Sequence, residues 1–122
     1  MKYLVFTYGT LMKNRSNHHY VSDDDYRFDA VLNDYILKDT KDDYPAAVPN
    51  KGSQIYGEVY EVDEETKIHM DELEEVGELY ACNTVKVSRI DNNEIYEVLF
   101  YEYLLNTDDM EVFPYPEKWY LR

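Results

Sequence analysis

Gln54-Ile55-Tyr56-Gly57-Glu58-Val59-Tyr60-Glu61-Val62 is the stretch on which the fold turns. Aromatic and β-branched residues dominate it, and such side chains suit a pleated strand surface. In an extended chain Ile55, Gly57, Val59 and Glu61 point to one face, and Tyr56, Glu58, Tyr60 and Val62 to the other. Both faces carry apolar or aromatic groups, as expected of a strand in a closed or covered sheet. Gly57 within it implies a bulge or the close approach of another group.

Downstream, Asp63 is placed to cap a helix whose first turn holds Glu64 and Glu65, acids that suit the positive end of the helix dipole. Thr66, Met70 and Leu73 follow helical spacing, so one helix face is expected on the sheet, with Gly77 ending the helix. Tyr80 to Ile90 reads as a long strand, Asp91-Asn92-Asn93 as a turn, and Glu94 to Leu105 as the antiparallel return. The tail carries Phe113-Pro114-Tyr115-Pro116 and Trp119; its prolines oppose regular structure and its aromatics suggest packing onto the body.

Upstream, Asn50-Lys51-Gly52-Ser53 reads as a turn, and Tyr44 to Pro49, with two prolines, as an edge strand or fixed loop. Asp39 to Asp43 reads as a charged loop. Tyr26 to Lys38 reads as one bent strand, or two broken near Asn33. Lys13 to Asp25 is polar; His18 and His19, being adjacent, point apart and make a poor metal pair. Lys2 to Phe6 is a buried-type strand that runs into Tyr8-Gly9-Thr10-Leu11. A strand that breaks at a glycine into a compact turn can aim successive N–H groups one way, forming a nest for a carboxylate or an oxyanion. About six strands and one helix are expected over residues 1–122. These suggest a single α+β domain with a mostly antiparallel, barrel-like sheet and the helix set between its strands.

The 122 residues carry 26 acids against 12 basic residues, a formal net charge of −14, which argues against nucleic acid and against an anionic membrane surface as partners. Hydrophobic residues make up 44%, enough for a core, and the 14 tyrosines favour a β-rich fold. Cys82 is the lone cysteine, so no internal disulfide forms. It has no basic neighbour in sequence and reads as an inert thiol. The absence of a membrane-length apolar run and of a signal-peptide layout leads to a cytoplasmic expectation.

Tyr8-Gly9-Thr10-Leu11, then Tyr44-Pro45-Ala46-Ala47-Val48-Pro49, then Gly57-Glu58-Val59-Tyr60, then Met70-Asp71-Glu72-Leu73-Glu74 with Tyr80 and Tyr101, taken in that order, resemble the gamma-glutamylcyclotransferase-like (AIG2-like) family. The resemblance spans about Met1 to Tyr103. It implies a compact mixed barrel with flanking helices and a cavity at its mouth. It implies that Tyr8, Gly9, Thr10 and Leu11 form the substrate-binding loop, that Glu74 is the catalytic glutamate, and that Tyr101 is a cavity tyrosine. Two positions depart from the pattern: Glu75 stands where many members have glycine, and Cys82 where many have arginine. A carboxylate at Glu75 would compete for the role of Glu74 or raise its pKa by like-charge repulsion.

The chemistry so implied asks little of a protein. A gamma-glutamyl amide carries its own nucleophile, the α-amine, and its own electrophile, the γ-carbonyl. Closing one on the other gives 5-oxoproline and expels an amine, with no metal or cofactor. Three readings stand: a cyclotransferase acting on a small gamma-glutamyl amine or peptide, a non-catalytic member that binds a small molecule or protein through the same cavity, or an acidic interaction protein. Oligomeric state is open.

Overall fold

The strand centred on Gly57 extends well beyond its apolar core. In the computed structural model, which describes residues 2–8, 25–39, 45–73, 76–105 and 107–110, the elements are β1 (Lys2–Thr7), β2 (Tyr26–Asp39), β3 (Pro45–Asp63), α1 (Glu64–Leu73), β4 (Tyr80–Arg89) and β5 (Ile95–Tyr103). The strands close into a barrel in the order β1-β3-β2-β4-β5. All the neighbours are antiparallel except β1 and β5, which pair in parallel through Val5↔Leu99 and Phe6↔Phe100.

Five strands are described where the sequence suggested about six, because Asn50 to Ser53 does not end a strand. Asn33 pairs with Gln54 but Tyr35 pairs with Pro49, so residues 50–53 bulge out of a β3 that stays paired with β2 on both sides. The turn chemistry is present and is spent on the bulge. Gly52 sits at φ 90° and Asp34 at φ 67°, and the Gly52 N–H donates to Asp34 Oδ1 at 3.0 Å. β2 is therefore one strand with an irregularity at Asp34. The prolines at 45 and 49 lie in the stretch of β3 that pairs with β2 but lies beyond the β1 ladder, which ends at Glu58. A missing N–H is tolerated on such an edge.

Gly57 is where two strands come close. A Cβ there would overlap the Thr7 carbonyl oxygen and lie 2.8 Å from Phe6 Cζ. The Phe6 ring fills the space so released. Phe6, Tyr60, Phe100, Leu37, Ile55 and Met70 are among the largest fully buried side chains, each contributing roughly 1.5–3 kcal/mol through burial.

α1 leaves the end of β3 directly. Asp63 caps it, its Oδ1 accepting the Thr66 N–H at 2.8 Å. Met70 is buried as the spacing required, but Lys67 is buried too. Gly77, at φ 97°, donates its N–H to the Tyr80 carbonyl in the turn before β4. The Asp63 carboxyl is held below the usual range, chiefly by the Thr66 N–H. A carboxyl lowered in the folded state stabilises the fold above its unfolded pKa, and that contribution is lost as pH falls through the lowered value. Asp63→Ala is expected to melt below the parent near neutral pH, with the gap narrowing on acidification; calorimetry across a pH series checks it.

Candidate active site

The parallel β1–β5 pair sets the C-terminal ends of both strands at one rim of the barrel, and antiparallel β4 begins there. Tyr8, the residue after β1, is buried. Its hydroxyl donates to the Tyr101 carbonyl oxygen at 2.6 Å, and its ring packs on Phe100 at 5.5 Å. The Tyr101 side chain reaches α1, where its hydroxyl donates to Asp71 Oδ1 at 2.7 Å. The same oxygen accepts the Lys67 ammonium at 2.5 Å, and that ammonium lies 5.6 Å from the centre of the Tyr101 ring. First strand, last strand and helix are thus tied through three side chains and one carbonyl.

Of the residues singled out in the sequence, Tyr8 and Tyr101 are joined by a direct hydrogen bond. Gly9, Thr10, Leu11 and Glu74 lie outside the described residues, as do Glu75, His18, His19 and the Phe113 to Trp119 tail. The chain enters Gly9 from Tyr8, and it enters Glu74 from Leu73, three residues after Asp71.

Cys82 lies opposite Tyr101 in the β4–β5 ladder. Burial pushes its thiol up; the positive charge of Lys67 pulls the other way without prevailing. A raised thiol is a poor nucleophile near neutral pH, in keeping with an inert cysteine. Position 82 carries no charge of its own, but the thiol there feels the positive charge of Lys67 from α1.

A second polar group sits near the same rim. Tyr35, whose ring packs edge-on against Phe100 at 4.9 Å, donates its hydroxyl to Glu102 Oε1 at 2.8 Å. Asn83 Nδ2 approaches the same oxygen at 3.4 Å. Burial, then the bond to Glu102 and its charge, push the Tyr35 phenol up to about 12, so it stays a donor at any physiological pH. Deeper in β3, the buried Glu58 accepts the Tyr60 hydroxyl at 2.9 Å, and Thr7 Oγ1 donates to the Glu58 carbonyl at 3.0 Å.

At the other rim, where β4 ends, a cavity of about 280 Å³ is lined by Tyr26, Phe28, Arg89 and Asp91 among others. Both of its cations are already engaged, Arg27 with Glu61 at 3.1 Å and Arg89 with Asp91 at 2.6 Å, Arg89 also lying over Phe28 at 4.9 Å. The chemistry therefore points to the Tyr8 rim.

Sequence reasoning missed Lys67 and gave Asp71 no role of its own. The signal existed: Lys67 is three residues before Met70 and four before Asp71, on the face that meets the barrel.

The family description "Gamma-glutamyl cyclotransferase, AIG2-like" matches residues 5–121. The chain belongs to that family. It is 33% identical over 105 residues to gamma-glutamylaminecyclotransferase A of Danio rerio, covering 79% of this chain and 65% of that protein. The chain thus spans just under two thirds of that relative. It is 34% identical over 82 residues to the gamma-glutamylcyclotransferase family protein YtfP of Escherichia coli, covering 67% of this chain and 71% of that one. Among solved structures, an AIG2-like protein from Mus musculus superposes with a TM-score of 0.79 at 22% identity, over 88% of this chain and 81% of that one. An uncharacterized protein from Pyrococcus horikoshii gives 0.72 at 26% identity, over 94% and 88%. The family's barrel is the fold described above.

Proposed function

We propose that the protein is a gamma-glutamyl cyclotransferase that releases 5-oxoproline from a small gamma-glutamyl amine or peptide. The observation that carries this reading, beside family membership, is the Tyr8–Tyr101–Asp71 chain of hydrogen bonds. It draws to one rim the strand that leads into Gly9, Thr10 and Leu11, the helix that leads to Glu74, and Tyr101 itself.

In this mechanism the substrate folds back so that its α-amine nitrogen meets the γ-carbonyl carbon. Holding that conformer turns a free rotor into a near-attack pair, the source of large effective molarities. Glu74 removes a proton from the α-ammonium. The nitrogen attacks, a C–N bond forms, and the carbonyl oxygen becomes an oxyanion. Glu74 then returns the proton to the departing nitrogen as the original C–N bond breaks, and the ring nitrogen loses its second proton through the same carboxylate, leaving the neutral lactam and a free amine that takes that proton up. The backbone N–H groups of Gly9, Thr10 and Leu11 hold either the oxyanion or the α-carboxylate. Fixed local dipoles matter here because the net charge of −14 repels an anionic substrate at long range. An ordinary glutamate near 4.3 and an α-amine near 8 differ by roughly 3.5 pKa units, about 5 kcal/mol; burial of the carboxylate reduces that mismatch.

Incubating the protein with a panel of gamma-glutamyl amines and gamma-glutamyl dipeptides, and following 5-oxoproline by mass spectrometry, tests the reading. At least one substrate is expected to yield 5-oxoproline and free amine in equal amounts. Binding of a panel compound without any turnover would instead identify a non-catalytic binding protein.

A further inference from the structure

Lys67 is a buried cation that helix energetics does not explain. It is 9% exposed, and an ammonium is costly to bury unless paired. Its partner Asp71 lies in the last turn of α1, a turn without basic residues, where the helix dipole disfavours a carboxylate. Lysine preceding the acid by four residues is also the weaker order for a helical ion pair. Local helix stability therefore selects neither residue. Their contacts converge on Tyr101: Lys67 lies over its ring, and Asp71 accepts its hydroxyl.

We infer that Lys67 is a positioning residue that fixes Asp71, and through it the direction of the Tyr101 hydroxyl. A tyrosine hydroxyl has one proton. With that proton committed to Asp71, the Tyr101 oxygen meets any other group as an acceptor. An acceptor suits the N–H of a substrate α-amine and disfavours a carboxylate. This consequence for substrate rests on the cyclotransferase reading; the positioning itself does not. Without the cation, Asp71 faces the dipole alone, and the shared oxygen is no longer held between two donors.

The test uses the full chain labelled with 13Cζ-tyrosine, the Tyr101 resonance being assigned by its loss in Tyr101→Phe. Lys67→Met is expected to shift that resonance, and Lys67→Arg to restore it at least in part. If Lys67→Met fails to fold, Lys67→Gln, neutral but still a donor, replaces it. On the substrate with measurable turnover, Lys67→Met is expected to raise KM about tenfold, the scale of one charge-assisted hydrogen bond, with kcat less affected. In a Tyr101→Phe background the same substitution should add nothing further. An unmoved Tyr101 resonance overturns the inference, as does a KM effect that multiplies undiminished in the Tyr101→Phe background. If the wild type turns over no gamma-glutamyl compound, the cyclotransferase reading fails, and the resonance alone decides the positioning.

Discussion

Glu74→Gln is expected to cut the rate of 5-oxoproline release by about a thousandfold or more while leaving the melting temperature within a few degrees of the parent. Glutamine keeps the shape and hydrogen-bonding capacity of the side chain but can neither take up a proton nor return one. Acid–base groups acting in the transition state typically contribute 10²–10⁴-fold. Here one group is asked to serve both halves of the reaction, so the upper part of that range applies. Glu75→Gln is the internal control. The two acids are adjacent, and only one occupies the position that the family resemblance marks. If Glu75→Gln abolishes turnover and Glu74→Gln does not, the roles are exchanged. If both variants remain active, acid–base catalysis belongs to another group, and the rim carboxylate Glu102 becomes the next to test. Loss of Glu75 should also lower the pKa of Glu74 by removing a like charge, moving the acidic limb of the kcat/KM profile to lower pH. The profile of Glu75→Gln against the parent checks this.

The second large effect is on folding. Gly57→Ala is expected to destabilise the protein by about 3 kcal/mol or more, at the high end for overpacking, because the clash is partly with backbone. The added Cβ would overlap the Thr7 carbonyl oxygen, an atom of the neighbouring strand, and press on Phe6, which is fully buried. Neither can yield by simple rotation, so the β1–β3 ladder must open. For a chain of this size the melting temperature should fall by about 10 °C or more. Gly52→Ala is the contrast. Nothing lies within 4 Å of a Cβ there, and only the positive φ is strained, a cost of roughly 1 kcal/mol. Thermal denaturation of the two variants side by side separates close approach from backbone conformation. Equal effects would mean that the strand contact at Gly57 is not as described.

The barrel was legible because its decisive strand has no polar face. Val59 and Tyr60 point opposite ways, and both are fully buried, as the doubly apolar pattern of Gln54 to Val62 required. The Asp63 cap was legible because its partner is three residues away. What the sequence concealed was of two kinds. Asn50 to Ser53 has the composition of a turn, and composition does not distinguish a turn that ends a strand from a bulge within one; pairing with Asp34, a partner far away in sequence, decides it. Lys67 was concealed because lysine is rarely buried. Its acceptor is local, but the group that makes the pair useful, Tyr101, lies 30 positions beyond Asp71. Tyr8 and Tyr101 were both picked out by resemblance; that one bonds to the carbonyl of the other could come only from coordinates.

The parallel pairing of β1 with β5 has a consequence for biogenesis. Tyr8 and Tyr101 are 93 positions apart, so their bond is absent until the whole segment between them has left the ribosome. Contacts this distant in sequence are slow to form, since a long loop must lose its entropy before any contact repays it. Until that last seam is made, β1 and β5 each keep an open edge prone to association with other chains. The seam that ends this exposure also aligns the rim tyrosines, so partially folded chains should be incompetent for ligand capture.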